Sequence, residues 1–259
     1  MPSPNGKLSG KSGGRPGKAR IDRLLMDREL ASSLTDARAL LMAGEVLVND
    51  VPVTKPGATV PADATVRLRS ARSRYVSRGG LKLEGALSDL NVMPNGLVCA
   101  DIGASTGGFT DCLLQHGAAR VHAVDVGQAL IAEKLRQDPR VILHEKLNAR
   151  FLKPEDLGEP VELAVADCSF VSLTLLLPAI RTVLAPGGTL LALVKPQFEA
   201  ARGEVEKGGI VRDPAIQFAA VEKIGAAAEV LGFRGAGSAP SRLAGADGNQ
   251  EYFLKLVAE

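Results

Sequence analysis

The sequence predicts an α/β chain: a doubly wound, Rossmann-like sheet over residues 79–259, preceded by a small α+β unit over 20–68. Three observations predict it. From residue 79 onward, strand-like apolar runs alternate with helical ones. A glycine-rich turn joins the first of those strands to a helix. The basic residues gather in the first third: residues 1–78 hold 14 Lys and Arg against 7 Asp and Glu, while 79–259 hold 17 against 22. The length of 259 residues is enough for one large domain or a large and a small one. With 46% apolar and 23% charged residues, a mostly disordered chain is excluded.

Residues 1–19 are Pro, Gly, Ser and cations (Lys7, Lys11, Arg15, Lys18) without an acid, and read as a flexible basic tail. Within 20–68, Ile21, Leu24, Leu25 and Leu30 form an apolar stripe at helical spacing, with Arg20, Arg23 and Asp27 off it. A second helix is expected from an N-cap at Thr35 to a stop at Gly44, with Leu40 and Leu41 inward and Arg38 outward. Short β runs follow at 46–48 and 51–53, around an Asn49-Asp50 turn. A Lys55-Pro56-Gly57 turn then leads to a strand over 64–68. Residues 69–78 carry charge without periodicity and read as a linker whose Tyr75 can dock on either side.

In the larger unit, strands are expected at 97–102, 120–126, 141–143, 161–166, 189–194 and 252–257, and helices at 109–116, 173–184 and 214–231. Pro186-Gly187-Gly188 ends the second of these helices. Strands alternating with helices argue for a parallel sheet covered on both faces.

The turn Gly103-Ala104-Ser105-Thr106-Gly107-Gly108-Phe109 lies where such folds bind nucleotides, and its small residues allow close backbone approach. It matches neither GxGxxG nor the phosphate loop. Asp125 ends the next strand, where an acid can take ribose hydroxyls. A nucleoside ligand without a demanding phosphate fits best, with S-adenosylmethionine the common one and NAD its rival. A plain tight connection and a capping or surface acid are the bland alternatives.

Four charged residues stand at positions that converge on that crevice: Lys82 just before the fold proper, Asp167 after the fourth strand, Lys195 after the fifth and Glu251 before the last. Two lysines and two acids suit methyl transfer to a weakly acidic hydroxyl, because a crowded, partly desolvated lysine can act as a base. Taken singly, each is equally a surface charge or an ion-pair member.

The remaining chemistry-bearing residues point elsewhere. His116, His122 and His144 lack metal spacing and read as surface or helix-end groups, so no metal is expected. Cys99, Cys112 and Cys168 form no CxxC pair, which excludes a disulfide framework; Cys168 reads as a packed thiol. No apolar run approaches the ~20 residues of a membrane span, and no secretory h-region is visible. A reduced, cytoplasmic setting is expected.

At these motifs the chain resembles the TlyA family of ribosomal RNA 2′-O-methyltransferases, whose members also carry haemolysin names. Residues 20–68 resemble the S-four RNA-binding domain through Arg20-Ile21-Asp22-Arg23-Leu24-Leu25, Ala43-Gly44-Glu45-Val46-Leu47-Val48-Asn49 and Lys55-Pro56-Gly57. From residue 77 the chain resembles an FtsJ-type methyltransferase. That likeness rests on Ser77-Arg78-Gly79-Gly80-Leu81-Lys82-Leu83, Asp101-Ile102 with the glycine turn, Lys195-Pro196-Gln197-Phe198-Glu199 and Lys207-Gly208-Gly209-Ile210-Val211-Arg212-Asp213.

The resemblance implies an S-adenosylmethionine-dependent methyltransferase sheet and a catalytic tetrad of Lys82, Asp167, Lys195 and Glu251, with Lys195 as base. It implies a cofactor site of Gly103, Ala104, Ser105, Thr106, Gly107, Gly108, Phe109, Asp125, Val126, Asn148 and Asp167. The expected partners are ribosomal RNA or ribosomal subunits, with a cytidine ribose as acceptor in the small subunit alone or in both. Arg20, Arg23 and Arg38 are the expected RNA contacts, and their binding should weaken with salt. A membrane-active haemolysin and a non-catalytic RNA-binding module are the competing readings. The first needs a membrane span or a strong amphipathic helix; the second would lack cofactor binding.

Overall fold

The computed structural model describes residues 17–31, 33–42, 44–68, 74–245 and 248–259. Residues 1–16 of the expected tail (1–19) and 69–73 of the expected linker (69–78) lie outside them. The chain divides into two compact units, Met1–Arg72 and Ser73–Glu259.

In the first unit, β1 (Lys18–Arg20) leads into α1 (Ile21–Asp27) and α2 (Leu34–Met42). Then come β2 (Val46–Val48), β3 (Val51–Pro52), β4 (Thr59–Pro61) and β5 (Val66–Leu68). β2 is flanked by β3 and β5, and β1 pairs with β4, all antiparallel. Ile21, Leu25, Ala37, Leu41 and Val46 are fully buried and close the core, as the helical period of the stripe requires. Asn49 and Asp50 both have positive φ, the backbone of a tight hairpin turn between β2 and β3.

Two details differ from expectation. Thr35 lies inside α2; the cap is Ser33, whose Oγ accepts the Asp36 N–H at 3.1 Å. Lys18 and Ala19, expected in the tail, pair with Val60 and Pro61 through their backbones, a pairing that needs no side-chain alternation.

The second unit runs α3 (Gly79–Asp89), β6 (Val98–Ile102), α4 (Gly108–Gln115), β7 (Arg120–Asp125), α5 (Glu133–Arg136) and β8 (Val141–Glu145). It continues with α6 (Pro154–Leu157), β9 (Val161–Ala166), α7 (Leu177–Val183), β10 (Leu184–Val194) and α8 (Pro196–Glu199). It ends with α9 (Pro214–Val230), β11 (Phe233–Pro240) and β12 (Tyr252–Ala258). The sheet order is β11-β12-β10-β9-β6-β7-β8.

β10, β9, β6, β7 and β8 are parallel; β12 is antiparallel to both of its neighbours. The expected parallel sheet therefore carries an antiparallel edge. β11 was not expected, because its Phe-Arg-Gly-Ala-Gly-Ser-Ala-Pro sequence has neither β-branched residues nor a clear alternation. The expected helix over 173–184 is split into a single 3₁₀ turn (Leu173–Leu175) and α7, with Pro178 in the first turn of α7.

Both faces of the sheet are buried. Ala100, Ile102, Ala164, Ala166, Leu190 and Ala192 pack on one side with Ile180 and Ile224. Cys99, Leu163, Val165, Leu191 and Leu193 pack on the other with Leu83 and Leu113. Residues 74–78 pack against this unit: Tyr75 is buried beside α3, and the Val76 N–H donates to Asp111 Oδ2 at 2.8 Å. The chain leaves β6 toward β7 and β8 and then crosses back to β9 on the other side. The order thus reverses between β6 and β9, and their carboxyl ends bracket the crevice where open α/β sheets bind ligands.

One histidine departs from the sequence reading. His116 caps the end of α4, but His122 is fully buried, because it takes an inward-facing position of β7. Its Nδ1 lies 3.0 Å from His144 Nε2, and its Nε2 lies 3.1 Å from Glu159 Oε1. No helix among the described residues is long and apolar enough to cross a membrane.

Candidate active site

A cavity of about 520 Å³ opens at this reversal, and Lys82, Asp167, Lys195 and Glu251 all line it. Lys82 comes from the first turn of α3, Asp167 and Lys195 follow β9 and β10, and Glu251 precedes β12. They form two lysine–acid pairs. Lys82 Nζ donates to Glu251 Oε2 at 2.5 Å, with both side chains buried. Lys195 Nζ lies 2.6 Å from Asp167 Oδ1 and donates to Ser169 Oγ at 2.8 Å. Buried charges persist only when paired, so the pairs hold both ammonium groups at fixed points in the crevice.

The glycine turn also lines the cavity, through Gly103, Ala104, Ser105, Thr106, Gly108 and Phe109. Gly103 has φ +87°, and a Cβ there would lie 2.6 Å from the Asp167 carbonyl oxygen. Only glycine fits that backbone at that distance from β9. At Gly108 a Cβ would meet Ser77 Oγ at 2.2 Å, which seats the turn against residues 77–80. Gly107 does not line the cavity; its open side faces Leu135 and Ile131.

Asp101 is buried in the cavity wall. Its Oδ2 accepts the Thr110 N–H at 2.8 Å and the Thr110 hydroxyl at 2.7 Å, while its Oδ1 has no partner. Burial pushes this carboxyl up to about 7, against the pull of the Thr110 bonds.

Asp125 lines a narrow cleft that shares Ala104 and Ser105 with the main cavity. Its Oδ2 accepts the Ser105 N–H at 2.8 Å and its Oδ1 the Gly127 N–H at 2.7 Å, so it ties two turns together. Val126 is exposed, and Asn148 caps the turn Ala149–Phe151 by accepting the Arg150 N–H at 3.0 Å; neither lines the cavity.

The mouth is aromatic. Phe170, 91% exposed and at φ +64°, packs its ring 5.2 Å from that of Phe198, and Lys195 Nζ sits 5.9 Å above the Phe198 ring. Burial pushes the Cys168 thiol up to about 12, consistent with a packed rather than a reactive cysteine. Among the described residues, no group of three or more His, Cys, Asp or Glu could hold a metal ion.

In the first unit, Arg20, Arg23 and Arg38 are exposed. Arg20 donates to both carboxylate oxygens of Asp22, at 3.0 and 2.6 Å. Arg38 Nε lies 4.0 Å from Asp22 Oδ2, and the Arg23 backbone N–H donates to Asp22 Oδ1 at 3.0 Å. The Asp22 side chain is 0% exposed, and the Arg20 guanidinium holds its carboxyl below the usual range. One buried acid thus orders two of the three cations at the surface.

A reversed parallel sheet, a glycine turn after its first strand and paired lysines and acids at the crevice define a Rossmann-like fold with a ligand crevice at its switch point. Residues 75–257 match the FtsJ-like methyltransferase model and residues 19–66 the S4 domain model. The chain belongs to the FtsJ-like methyltransferase family and carries an S4 domain ahead of it. It is 44% identical over 241 residues to the 16S/23S rRNA (cytidine-2′-O)-methyltransferase TlyA of Mycobacterium tuberculosis, covering 92% of this chain and 90% of that protein. It is 38% identical over 243 residues to Hemolysin A of Brachyspira hyodysenteriae, covering 92% and 99%. A solved structure from Streptococcus thermophilus bearing a hemolysin name aligns with TM-score 0.73 and 42% identity, over 95% of this chain and 90% of that one.

Sequence reasoning missed Asp22, Asp101, Ser169 and Phe170. Asp22 sits between two arginines and Asp101 just ahead of the glycine turn, so an unusual acid beside a motif was the available signal. Ser169 and Phe170 follow Asp167 directly, but only the folded crevice gives them a role.

Proposed function

We propose that this chain transfers a methyl group from S-adenosylmethionine to the 2′-hydroxyl of a cytidine ribose in ribosomal RNA, in the small subunit alone or in both subunits. The observation that carries the reading is the pairing of Lys82 with Glu251 and of Lys195 with Asp167 in one cavity that a glycine turn also lines. The cofactor fits the residues present. The small residues Gly103, Ala104 and Ser105 line the cavity wall, and the orphaned Asp101 Oδ1 suits a cationic amine. Asp125 keeps lone pairs for ribose hydroxyls after accepting its two N–H groups. When bound, S-adenosylmethionine supplies a methyl group activated by a sulfonium charge.

The chain's own residues orient the acceptor and handle its proton. Lys195 Nζ, held by Asp167 and Ser169, lies within reach of a hydroxyl entering the cavity and, in its neutral form, takes up the 2′ proton. Lys82 Nζ, fixed by Glu251, orients the ribose from the opposite side. Asp167 adds negative charge that tolerates a cationic methyl donor. Rate then depends mainly on positioning.

Phe170 and Phe198 offer ring faces on which an unstacked base can rest. Arg20, Arg23 and Arg38 contact phosphates, so they set affinity rather than sequence choice. A ribosomal substrate implies a cytoplasmic setting.

The test is incubation with methyl-labelled S-adenosylmethionine and separated small and large ribosomal subunits. Label recovered in a ribonuclease-resistant dinucleotide containing cytidine is expected, first from the small subunit. Cofactor binding without label in any ribosomal RNA would overturn the reading.

A further inference from the structure

The segment between α8 and α9 runs beside the cavity and contributes Val205 and Gly209 to its wall. It turns on Gly208 and Gly209, both with positive φ, and its Glu206 N–H donates to the Ile210 carbonyl at 3.0 Å. One buried side chain fastens it to the fold. Asn249, 1% exposed, accepts the Val211 N–H on Oδ1 at 2.8 Å and donates from Nδ2 to the Gly209 carbonyl at 2.8 Å. The far side of Val211 is held as well: its carbonyl accepts from Gln217 Nε2 at 2.8 Å, and Gln217 Oε1 accepts the Tyr252 hydroxyl at 2.8 Å. Asn249 lies two residues before Glu251 and Tyr252 one after it, so the chain around that glutamate holds this segment directly through Asn249 and, by way of Gln217, through Tyr252.

We propose that Asn249 is a positioning residue. With Gln217 and Tyr252 it clamps residues 209–211 at a fixed distance from Glu251 and so sets the wall against which the acceptor nucleotide is placed. The proposal rests on reading this cavity as the site of RNA methylation. Both faces of the Asn249 amide are used, one as donor and one as acceptor, so neither an aliphatic residue nor an ionised isostere reproduces the clamp. An ionised aspartate keeps the Val211 bond but sets a carboxylate oxygen against the Gly209 carbonyl. A protonated aspartate can donate to that carbonyl and restore the pattern. Displacing a wall of a reacting site by about an ångström costs on the order of a hundredfold in rate.

The experiment compares wild type with Asn249→Ala, Asn249→Asp and the milder Gln217→Leu. The readouts are cofactor affinity by calorimetry, single-turnover methylation of ribosomal subunits, and hydrogen exchange of the Val211 amide. The expected result is cofactor affinity within about twofold of wild type, with transfer slowed about tenfold or more and Val211 exchange accelerated. The rate of Asn249→Asp relative to wild type should rise as the pH is lowered from about 8 to about 6. Unchanged transfer, a loss that merely follows cofactor affinity or melting temperature, or a flat Asn249→Asp pH ratio would overturn the proposal. If wild type itself methylates no RNA, the functional reading fails instead. In that case Val211 exchange still decides the clamp, and protection unchanged in Asn249→Ala and Gln217→Leu would sink it.

Discussion

The two units handle charge in opposite ways. In the first, Arg20, Arg23 and Arg38 remain at the surface, and Asp22, the one buried charge among the described residues, serves to order Arg20 and Arg38. In the second, Lys82, Lys195, Glu251 and Asp101 are withdrawn into a crevice that the sheet topology creates. Exposed cations act through a screened, long-range field, so each contributes a modest and salt-dependent share. Buried groups act at contact distance with little screening, so a single change removes most of what they do. The difference separates capture from chemistry: one unit should govern how tightly RNA is held, the other how fast it is modified.

The largest expected effect breaks the second unit alone. Lys195→Ala should slow methyl transfer by about a thousandfold or more while RNA and cofactor affinity stay within a few-fold of wild type. Single-turnover rates at saturating RNA, beside calorimetry, measure both. Next comes Gly103→Ala, which puts a methyl group 2.6 Å from the Asp167 carbonyl at a positive φ. Cofactor affinity should fall about a hundredfold, with a lower melting temperature, because the turn and β9 must move apart.

Asp101 gives a pH signature. Its carboxyl titrates at about 7 in the folded protein against an ordinary value of 3.8, so it ionises only above about 7. A cationic amine prefers the carboxylate. Cofactor affinity should therefore be full above pH 7 and fall toward about tenfold per pH unit below it, and Asp101→Asn should flatten the profile. The free protein should show the opposite slope. Because its Asp101 holds a proton that the unfolded chain has lost, this group's contribution to stability falls as the pH rises from 3.8 to about 7.

The smallest effects belong to the first unit. Arg20→Ala or Arg38→Ala should weaken RNA binding several-fold and lower the salt slope by about one each, with the saturating rate unchanged. A salt titration of RNA affinity checks this. Arg20→Ala also uncovers Asp22, so it should cost more than Arg23→Ala, whose side chain has no such partner.

What was legible in the sequence follows the same division. The parallel strands and the glycine turn were readable because apolar runs and small residues are local signals. Asp167 and Lys195 were readable because the carboxyl ends of strands in such sheets meet by rule, whereas Lys82 stands on α3 and Glu251 reaches that end only because β12 is antiparallel. β11 was not, since a glycine-rich edge strand is specified by pairing with β12 rather than by its own residues. Phe170 and the Asn249 clamp were not either, because each depends on a partner far along the chain, while Asp101 carried only the local signal of an acid beside the glycine turn. Val126 and Asn148 came from the family pattern alone, and the structure leaves both outside the cavity lining.

The most direct test of separable capture and chemistry is one paired measurement: RNA affinity and single-turnover methylation rate for the Arg20→Ala, Arg38→Ala double variant and for Lys195→Ala. The double variant should lose affinity and keep its rate at saturating RNA, and Lys195→Ala should do the reverse. If the double variant slows transfer even when saturated, or if Lys195→Ala releases the RNA, the two units are not divided in this way.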